Sequence, residues 1–264
     1  MSKLTPDEIR FFRDEGFLIK RGIMDADLTA LAHERLWENA PPEIDRDNPD
    51  TWVGPIQEYR QKKGEKGNDG GGYGWWYRSI GSEEWMVRML VAHPPIWEIV
   101  EQMLGEGDVV KPDRVRGIYC RLPEGSSPIK PLGCHIDAHA FHLGVVGYID
   151  DVAPNGGGFT VWPRSHRVFY FSNQRRHLRD DAEGYTKKLE YFKHRTPIEC
   201  HGRAGDVVFW HHRLAHSAGT NRSKGIRKAV LGDYVKKNIE STMNMPPCED
   251  MWEDWPGIPS NGNP

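Results

Sequence analysis

The sequence has no long apolar run. Nothing in it approaches the roughly 18 residues needed to span a bilayer, so no membrane partner is expected. The opening stretch MSKLTPDEIRFF lacks an apolar signal core, so no secretion signal is expected either. Cysteine is scarce. Cys120, Cys134, Cys200 and Cys248 are widely spaced and form no CxxC pair. A disulfide framework is not expected in a chain of this length, and a reduced, cytoplasmic setting fits better. Excess charge of one sign is also lacking. The formal net charge is −3, which gives no case for a nucleic-acid partner. No internal repeat is visible.

What is abundant is glycine, proline, histidine and tryptophan, at 28, 19, 12 and 10 of 264 residues. So many turn formers favour a β-rich fold over a helix bundle. The N-terminal part nevertheless begins with helices. Thr5-Pro6-Asp7-Glu8 is a capping box with proline at the first helical position, and Gly16 stands where a C-terminal cap belongs, which predicts a helix over 6–15. Phe17-Leu18-Ile19 follows as a short strand. Further helices are expected over about 25–39, stopped by Pro41-Pro42, and over about 95–104, ending at Gly105. Residues 61–74, with six glycines, read as a flexible loop leading into the aromatic cluster Trp75-Trp76-Tyr77. That cluster suits either core packing or a substrate-facing wall.

From about residue 114 the pattern becomes strands: VRGIYCRL, CHIDAH, LGVVGYID, GFTVWP, DVVFWHH and IRKAVLGDYV. Helices first and strands afterwards predict a mainly β fold with flanking helices, a sandwich or jelly roll. The chain 1–264 reads as one domain, with N-terminal helices over about 5–105, a jelly-roll core over about 114–236 and a tail over 240–264. Two segments carry opposite charge. Residues 164–195 have nine Lys/Arg against four acids, and 240–264 has five acids and no Lys or Arg. They suit two solvated patches that meet, or a basic lid over an anionic substrate.

The residues that carry chemistry begin with His135-Ile136-Asp137. On a strand, residues two apart point to one face, so an imidazole and a carboxylate would lie side by side. His216, in HHRLAHSAGTN, supplies a third ligand. Two histidines and a carboxylate on one face of a metal, with positions left open, match the facial triad of non-haem Fe(II) oxygenases. His211 and His212 are rival third ligands. His216 is preferred because Arg227 stands eleven residues after it. A hairpin through Gly219-Thr220-Asn221 and Lys224-Gly225 would return Arg227 to the same cavity, where its guanidinium fork suits the distal carboxylate of 2-oxoglutarate.

With these pieces in place the sequence resembles the phytanoyl-CoA dioxygenase-like family of Fe(II)/2-oxoglutarate-dependent oxygenases. LTPDEIRFFRDEGFLIKRG, CHIDAH, NGGGFTVWPRSHR and GDVVFWHHRLAHSAGTNRSKGIRKAV carry the resemblance, over about 4–235 with gaps near 50–80 and 167–200. It implies a double-stranded β-helix (jelly-roll, cupin-like) with flanking helices. It also implies iron ligands His135, Asp137 and His216, a 2-oxoglutarate salt bridge to Arg227, and O2 as co-substrate. Two positions depart from the pattern. Arg164 stands where the family often has Gly. Ala218 stands where members carry a co-substrate serine, while Ser217 should face away, which leaves Tyr119 or Thr160 as substitutes. Related halogenases lack the carboxylate, so Asp137 favours hydroxylation or another oxygen-dependent C–H oxidation. The substrate would be a small organic molecule, with an anionic group suggested by the basic segment. Three other readings compete: a cupin-like metalloenzyme that does not use 2-oxoglutarate, a non-catalytic jelly-roll binding module, and a nucleic-acid or protein demethylase-type oxygenase, for which the basic segment is the only support.

Overall fold

The computed structural model describes residues 3–60, 68–180 and 183–260. The N-terminal helix α1 (Pro6–Glu15) forms for the reason its sequence gives. The Thr5 hydroxyl accepts from the Glu8 amide and the Glu8 carboxylate accepts from the Thr5 amide. It ends at Gly16, whose φ of +83° suits glycine, and a Cβ there would sit 2.5 Å from the His166 ring. Strand β1 (Phe17–Lys20) follows, then α2 (Ala26–Leu36), capped by the Asp25 side chain on the Leu28 amide.

Strands β2 (Ile56–Arg60), β3 (Asp69–Gly72) and β4 (Gly74–Tyr77) come next, then helices α3 (Glu84–Met89) and α4 (Pro94–Leu104). The strand-rich part runs through β5 (Gly117–Arg121), β6 (Leu143–Tyr148) and β7 (Phe159–Val161). After helices α5 (Ser165–Phe171) and α6 (Glu183–Lys193) come β8 (Ile198–Cys200), β9 (Val207–His211), β10 (His216–Ala218) and β11 (Arg227–Tyr234), then the short α7 (Ile239–Thr242). Eight strands form an antiparallel sheet in the order β1-β9-β6-β11-β5-β4-β3-β2, and three form a second in the order β10-β7-β8. The expected mainly β fold with flanking helices is therefore present.

The large sheet is covered on both faces, and strand alternation sorts its residues. On β11, Lys228, Val230, Gly232 and Tyr234 turn one way; Val230 and Tyr234 join the core that includes α2, α3 and α4. Arg227, Ala229, Leu231 and Asp233 turn the other way, toward the space between the sheets. There Ala229 and Leu231 pack with Val146, Tyr148, Val208, Trp210 and Phe159. Each fully buried aliphatic or aromatic side chain contributes about 1.5–3 kcal/mol.

Several expectations need correction. Of the stretch 61–74 expected as a loop, residues 69–72 and 74 belong to the paired strands β3 and β4, which extend the large sheet, and 61–67 lie outside the described residues. Gly70, Gly71 and Gly74 pack where a Cβ would strike Tyr59, Glu58 and Trp76, so these glycines serve close packing. CHIDAH is not a strand: His135 makes a single bridge to His216 and the chain then bends. The basic segment contains two helices. The turn 219–226 is no hairpin, because β10 pairs with β7 whereas β11 pairs with β5 and β6. The chain crosses there from one sheet to the other.

Candidate active site

His135 and His216 are tied together by their backbones, the amide of each donating to the carbonyl of the other at 3.1 and 2.8 Å. Their rings lie 4.6 Å apart. In both, Nδ1–H donates to a nearby carbonyl: His135 to Gly133 at 2.7 Å and His216 to Leu214 at 2.9 Å. A proton fixed on Nδ1 leaves the Nε2 lone pair free in each ring. The ligand atoms of His135, Asp137 and His216 lie within 4.8 Å of one another, and His216 Nε2 is 3.7 Å from Asp137 Oδ2. The three residues of the HxD…H reading are thus brought together, through a bend rather than a strand.

The electrostatics keep this donor set ready for a cation. Burial pushes the His216 imidazole down to about 4, with Asp137 only partly opposing it, so the ring is neutral at neutral pH. Burial works to raise Asp137, but the His216 imidazole and the Arg116 guanidinium outweigh it and hold the carboxyl well below the usual carboxylate range. Arg116 Nη2 donates to Asp137 Oδ2 at 2.9 Å and to Asp233 Oδ1 at 2.6 Å, while its Nε reaches Asp233 Oδ2 at 2.8 Å. The guanidinium also lies over the rings of Phe141 and Trp210. One cation is therefore shared by two carboxylates, and the site keeps a net negative charge. Two imidazoles with free Nε2 atoms, a charged carboxylate and a second carboxylate sharing its counter-cation fit a divalent transition metal.

Around the trio the walls are aromatic. Trp210 and Phe159 lie 5.6 and 5.1 Å from the His216 ring. Trp210 reaches this place because Gly144, its cross-strand neighbour, has no side chain; a Cβ there would lie 2.2 Å from the indole. A cavity of about 760 Å³ opens beside Asp137, lined also by Arg116, Tyr119, His139 and Asp233.

Arg227 lies on the inward face of β11, buried. Its Nε donates to the Gly157 carbonyl at 2.8 Å and its Nη1 to the Tyr119 carbonyl at 3.0 Å. These bonds hold the guanidinium plane and leave three N–H groups, the second on Nη1 and both on Nη2. Tyr119 reaches the cavity and its hydroxyl accepts from Arg78 Nε at 3.3 Å. Thr160 lines a different groove, with Glu199 and Gly219. Ser217 is buried opposite Thr160, and Ala218 is exposed.

His211 and His212, the rival ligands, belong to another cluster. Their rings are 4.4 Å apart, and His212 is 5.0 Å from His177, which in turn is 4.2 Å from His142. His142, His177 and Asp254 also place three ligand atoms within 4.8 Å. The surroundings differ from those of the first trio. Arg176 Nη1 lies on Asp254 Oδ2 at 3.3 Å, and Lys236 donates from Nζ to the Asp254 carbonyl and from its amide to His142 Nδ1.

Among its described residues, the basic segment 164–195 does not line the cavity. Arg164 pairs with Glu15, Arg167 with Asp14, Arg175 with Asp180 and Arg176 with Asp254. The Arg176 pair joins the segment to the acidic tail, so the two oppositely charged stretches do meet. The segment touches the HxD motif from behind: Arg179 donates to the Ile136 carbonyl and Tyr185 accepts from the Ile136 amide. Of the aromatic cluster, Trp75 and Tyr77 join the helix-side core, while Trp76 stands behind Arg78. Sequence reasoning missed Arg116 and Asp233. Asp233 shares strand parity with Arg227, a signal that could have found it.

Comparison with known proteins fits this geometry. The family model described as phytanoyl-CoA dioxygenase matches residues 88–229, just over half of the chain. Among curated proteins none matches. Among solved structures, the non-heme alpha-ketoglutarate-dependent carbocyclase SnoK from nogalamycin biosynthesis is 20% identical, with TM-score 0.58, covering 96% of this chain and 96% of its own. The epimerase SnoN from the same biosynthesis is 20% identical, with TM-score 0.53, covering 98% and 92%. HygX from Streptomyces hygroscopicus, solved with nickel, 2-oxoglutarate and hygromycin B, is 14% identical, with TM-score 0.53, covering 93% and 98%. At these identities the likeness is one of fold.

Proposed function

The chain belongs to the phytanoyl-CoA dioxygenase family, and from that premise we propose that it is an Fe(II)/2-oxoglutarate-dependent dioxygenase that hydroxylates a C–H bond of a small organic molecule. The observation that carries this reading is the pair of histidines whose Nδ1 protons are spent on backbone carbonyls, leaving two Nε2 atoms beside the Asp137 carboxylate. His135, Asp137 and His216 would hold the iron. Arg227 would hold the distal carboxylate of 2-oxoglutarate through Nη2. When bound, the iron and 2-oxoglutarate together supply the oxidising power of O2: one oxygen atom enters succinate, CO2 leaves, and the other oxygen enters the substrate as a hydroxyl.

The protein's own residues hold and shield. Arg116 donates to Asp137 Oδ2, the oxygen that also lies 3.7 Å from His216 Nε2, and so orients the carboxylate beside the histidine. Trp210 and Phe159 cover one side of His216 and exclude water there. The cavity beside Asp137 has the size of a small-molecule site. Neighbouring folds include a carbocyclase and an epimerase, so ring closure and epimerisation are the alternatives to hydroxylation.

Anaerobic titration with Fe(II) and then 2-oxoglutarate tests the reading. A weak visible charge-transfer band should appear in the wild type and be lost in Asp137→Ala. Arg227→Gln should raise the apparent KM for 2-oxoglutarate at least about ten-fold, as expected when a charge-assisted contact is lost. An unchanged KM would favour a metalloenzyme that does not use this co-substrate.

A further inference from the structure

Four cations line the cavity beside Asp137, and they are not equivalent. Arg116 is spent between Asp137 and Asp233. Arg78 pairs with Asp69 at 2.5 Å and stacks over Trp76 and Tyr119. Lys111 and Arg114 have no ion-pair or hydrogen-bond partner among the described residues. Both stand on the short loop between Val110 and Val115, which is pinned at each end. The Val110 amide donates to the Val235 carbonyl at 2.9 Å, the Val115 amide to Gly81 at 2.8 Å and the Arg116 amide to Leu231 at 2.7 Å. A pinned loop fixes where its side chains emerge, so two uncommitted cations are held at the rim of a cavity whose wall includes Asp137. Asp113, exposed between them, is the loop's single acid.

We propose that Lys111 and Arg114 bind an anionic group of the substrate, a carboxylate or a phosphate ester, and so direct the rest of the molecule past Tyr119 toward Asp137. The anion is recognised at this rim rather than by the segment 164–195, whose arginines at 164, 167, 175 and 176 are committed to Glu15, Asp14, Asp180 and Asp254. A cationic substrate would meet like charge here. The proposal deepens the reading of His135, Asp137 and His216 as the iron site, and rests on it.

The test uses the full chain with 2-oxoglutarate present and four probes of similar size: benzoate, phenyl phosphate, neutral benzamide and cationic benzylamine. Isothermal titration should show an anion binding about ten-fold more tightly than benzamide. The better of benzoate and phenyl phosphate identifies which anion the site takes. Lys111→Ala/Arg114→Ala should abolish the preference, Lys111→Glu/Arg114→Glu should shift it toward benzylamine, and Arg164→Gln, at an exposed arginine paired with Glu15, should keep it. Equal affinity for anion and amide in the wild type, or a preference that survives the double alanine change, overturns the proposal. The Fe(II)/2-oxoglutarate band is read on the same samples. A band without anion preference sinks the rim and leaves the iron site standing, whereas anion preference without a band does the reverse.

Discussion

Two trios in this protein have the same composition, two histidines and an aspartate, and the same compactness, yet they sit in opposite electrostatic surroundings. Around His135, Asp137 and His216, one cation, Arg116, is shared by two carboxylates, Asp137 and Asp233. Around His142, His177 and Asp254, the single carboxylate meets Arg176, Lys236 donates to the Asp254 backbone carbonyl, and buried Arg213 acts on His177. Tautomers differ as well. In the first trio Nδ1 donates and Nε2 is free. In the second, His142 Nδ1 accepts from the Lys236 amide, which places the proton on Nε2 and removes its lone pair. A donor list therefore does not make a metal site; the charge balance and the partner of the other ring nitrogen decide it. The second trio reads as a clasp that fixes the C-terminal tail to the core.

The most severe way to break this comparison is Asp137→Ala. It should reduce bound iron and succinate release by at least about 100-fold, since even outer partners of a metal ligand are worth about 10–100-fold. Asp254→Ala should leave one iron per chain. If metal analysis finds two ions in the wild type and one in Asp254→Ala, the contrast between the trios fails.

Asp233→Asn moves the first trio toward the charge count of the second. Iron affinity should fall about 10–100-fold while the protein stays folded. Unchanged affinity would show that charge balance is not what separates the sites.

Asp254→Ala should also lower stability by about 3 kcal/mol, because Arg176 and His177 lose their buried partner. Urea unfolding measures it. Loss of the near-ultraviolet signal of Trp252 and Trp255 before the main transition would show the tail releasing first.

Acid should act on both regions, through His216 in the first and through more histidines in the second. Burial holds His166 down to about 3 and pushes His142, His211 and His212 well below their ordinary 6.5. The unfolded chain takes up these protons near pH 6.5 and the folded one does not. Stability is therefore full above that pH and falls as the pH drops from 6.5 toward 3. Each such imidazole costs about 1.4 kcal/mol per pH unit. Unfolding midpoints that stay level between pH 7 and 5 would contradict this.

The smallest effect is expected outside both trios. Arg164 has a φ of +67°, where glycine is favoured, and its side chain is largely exposed on Glu15. In Arg164→Gly, relief of about 1 kcal/mol of backbone strain offsets an exposed ion pair worth about 0–1 kcal/mol. Tm should move by no more than about 3 °C.

Much of this was legible in the sequence because the determinants are local. The capping box at Thr5, the glycine stop at Gly16 and the alternation of IRKAVLGDYV each report on their own neighbourhood. The meeting of His135, Asp137 and His216 was legible as a pattern of spacing, whereas Arg227, expected in the same cavity, faces inward on β11 and is not among the residues that line the cavity beside Asp137. What was not legible depends on contacts far apart in the chain. Arg116 meets Asp233 across 117 residues. Arg164, Arg167 and Arg176 looked free because their acids lie on α1 and the tail. The glycine-rich stretch looked like a loop because close strand packing and flexibility use the same residue.

The crossing between β10 and β11 has a mechanical consequence. His216 opens a strand of the small sheet, and Arg227 opens a strand of the large one. On the proposed reading, one 2-oxoglutarate molecule is gripped by both layers and acts as a removable rivet. Saturating it at a hundred times its Kd would add about 2.7 kcal/mol, and that gain would belong to the seam between the layers rather than to either layer alone. Each turnover would withdraw the rivet, so the seam would loosen when product has to leave.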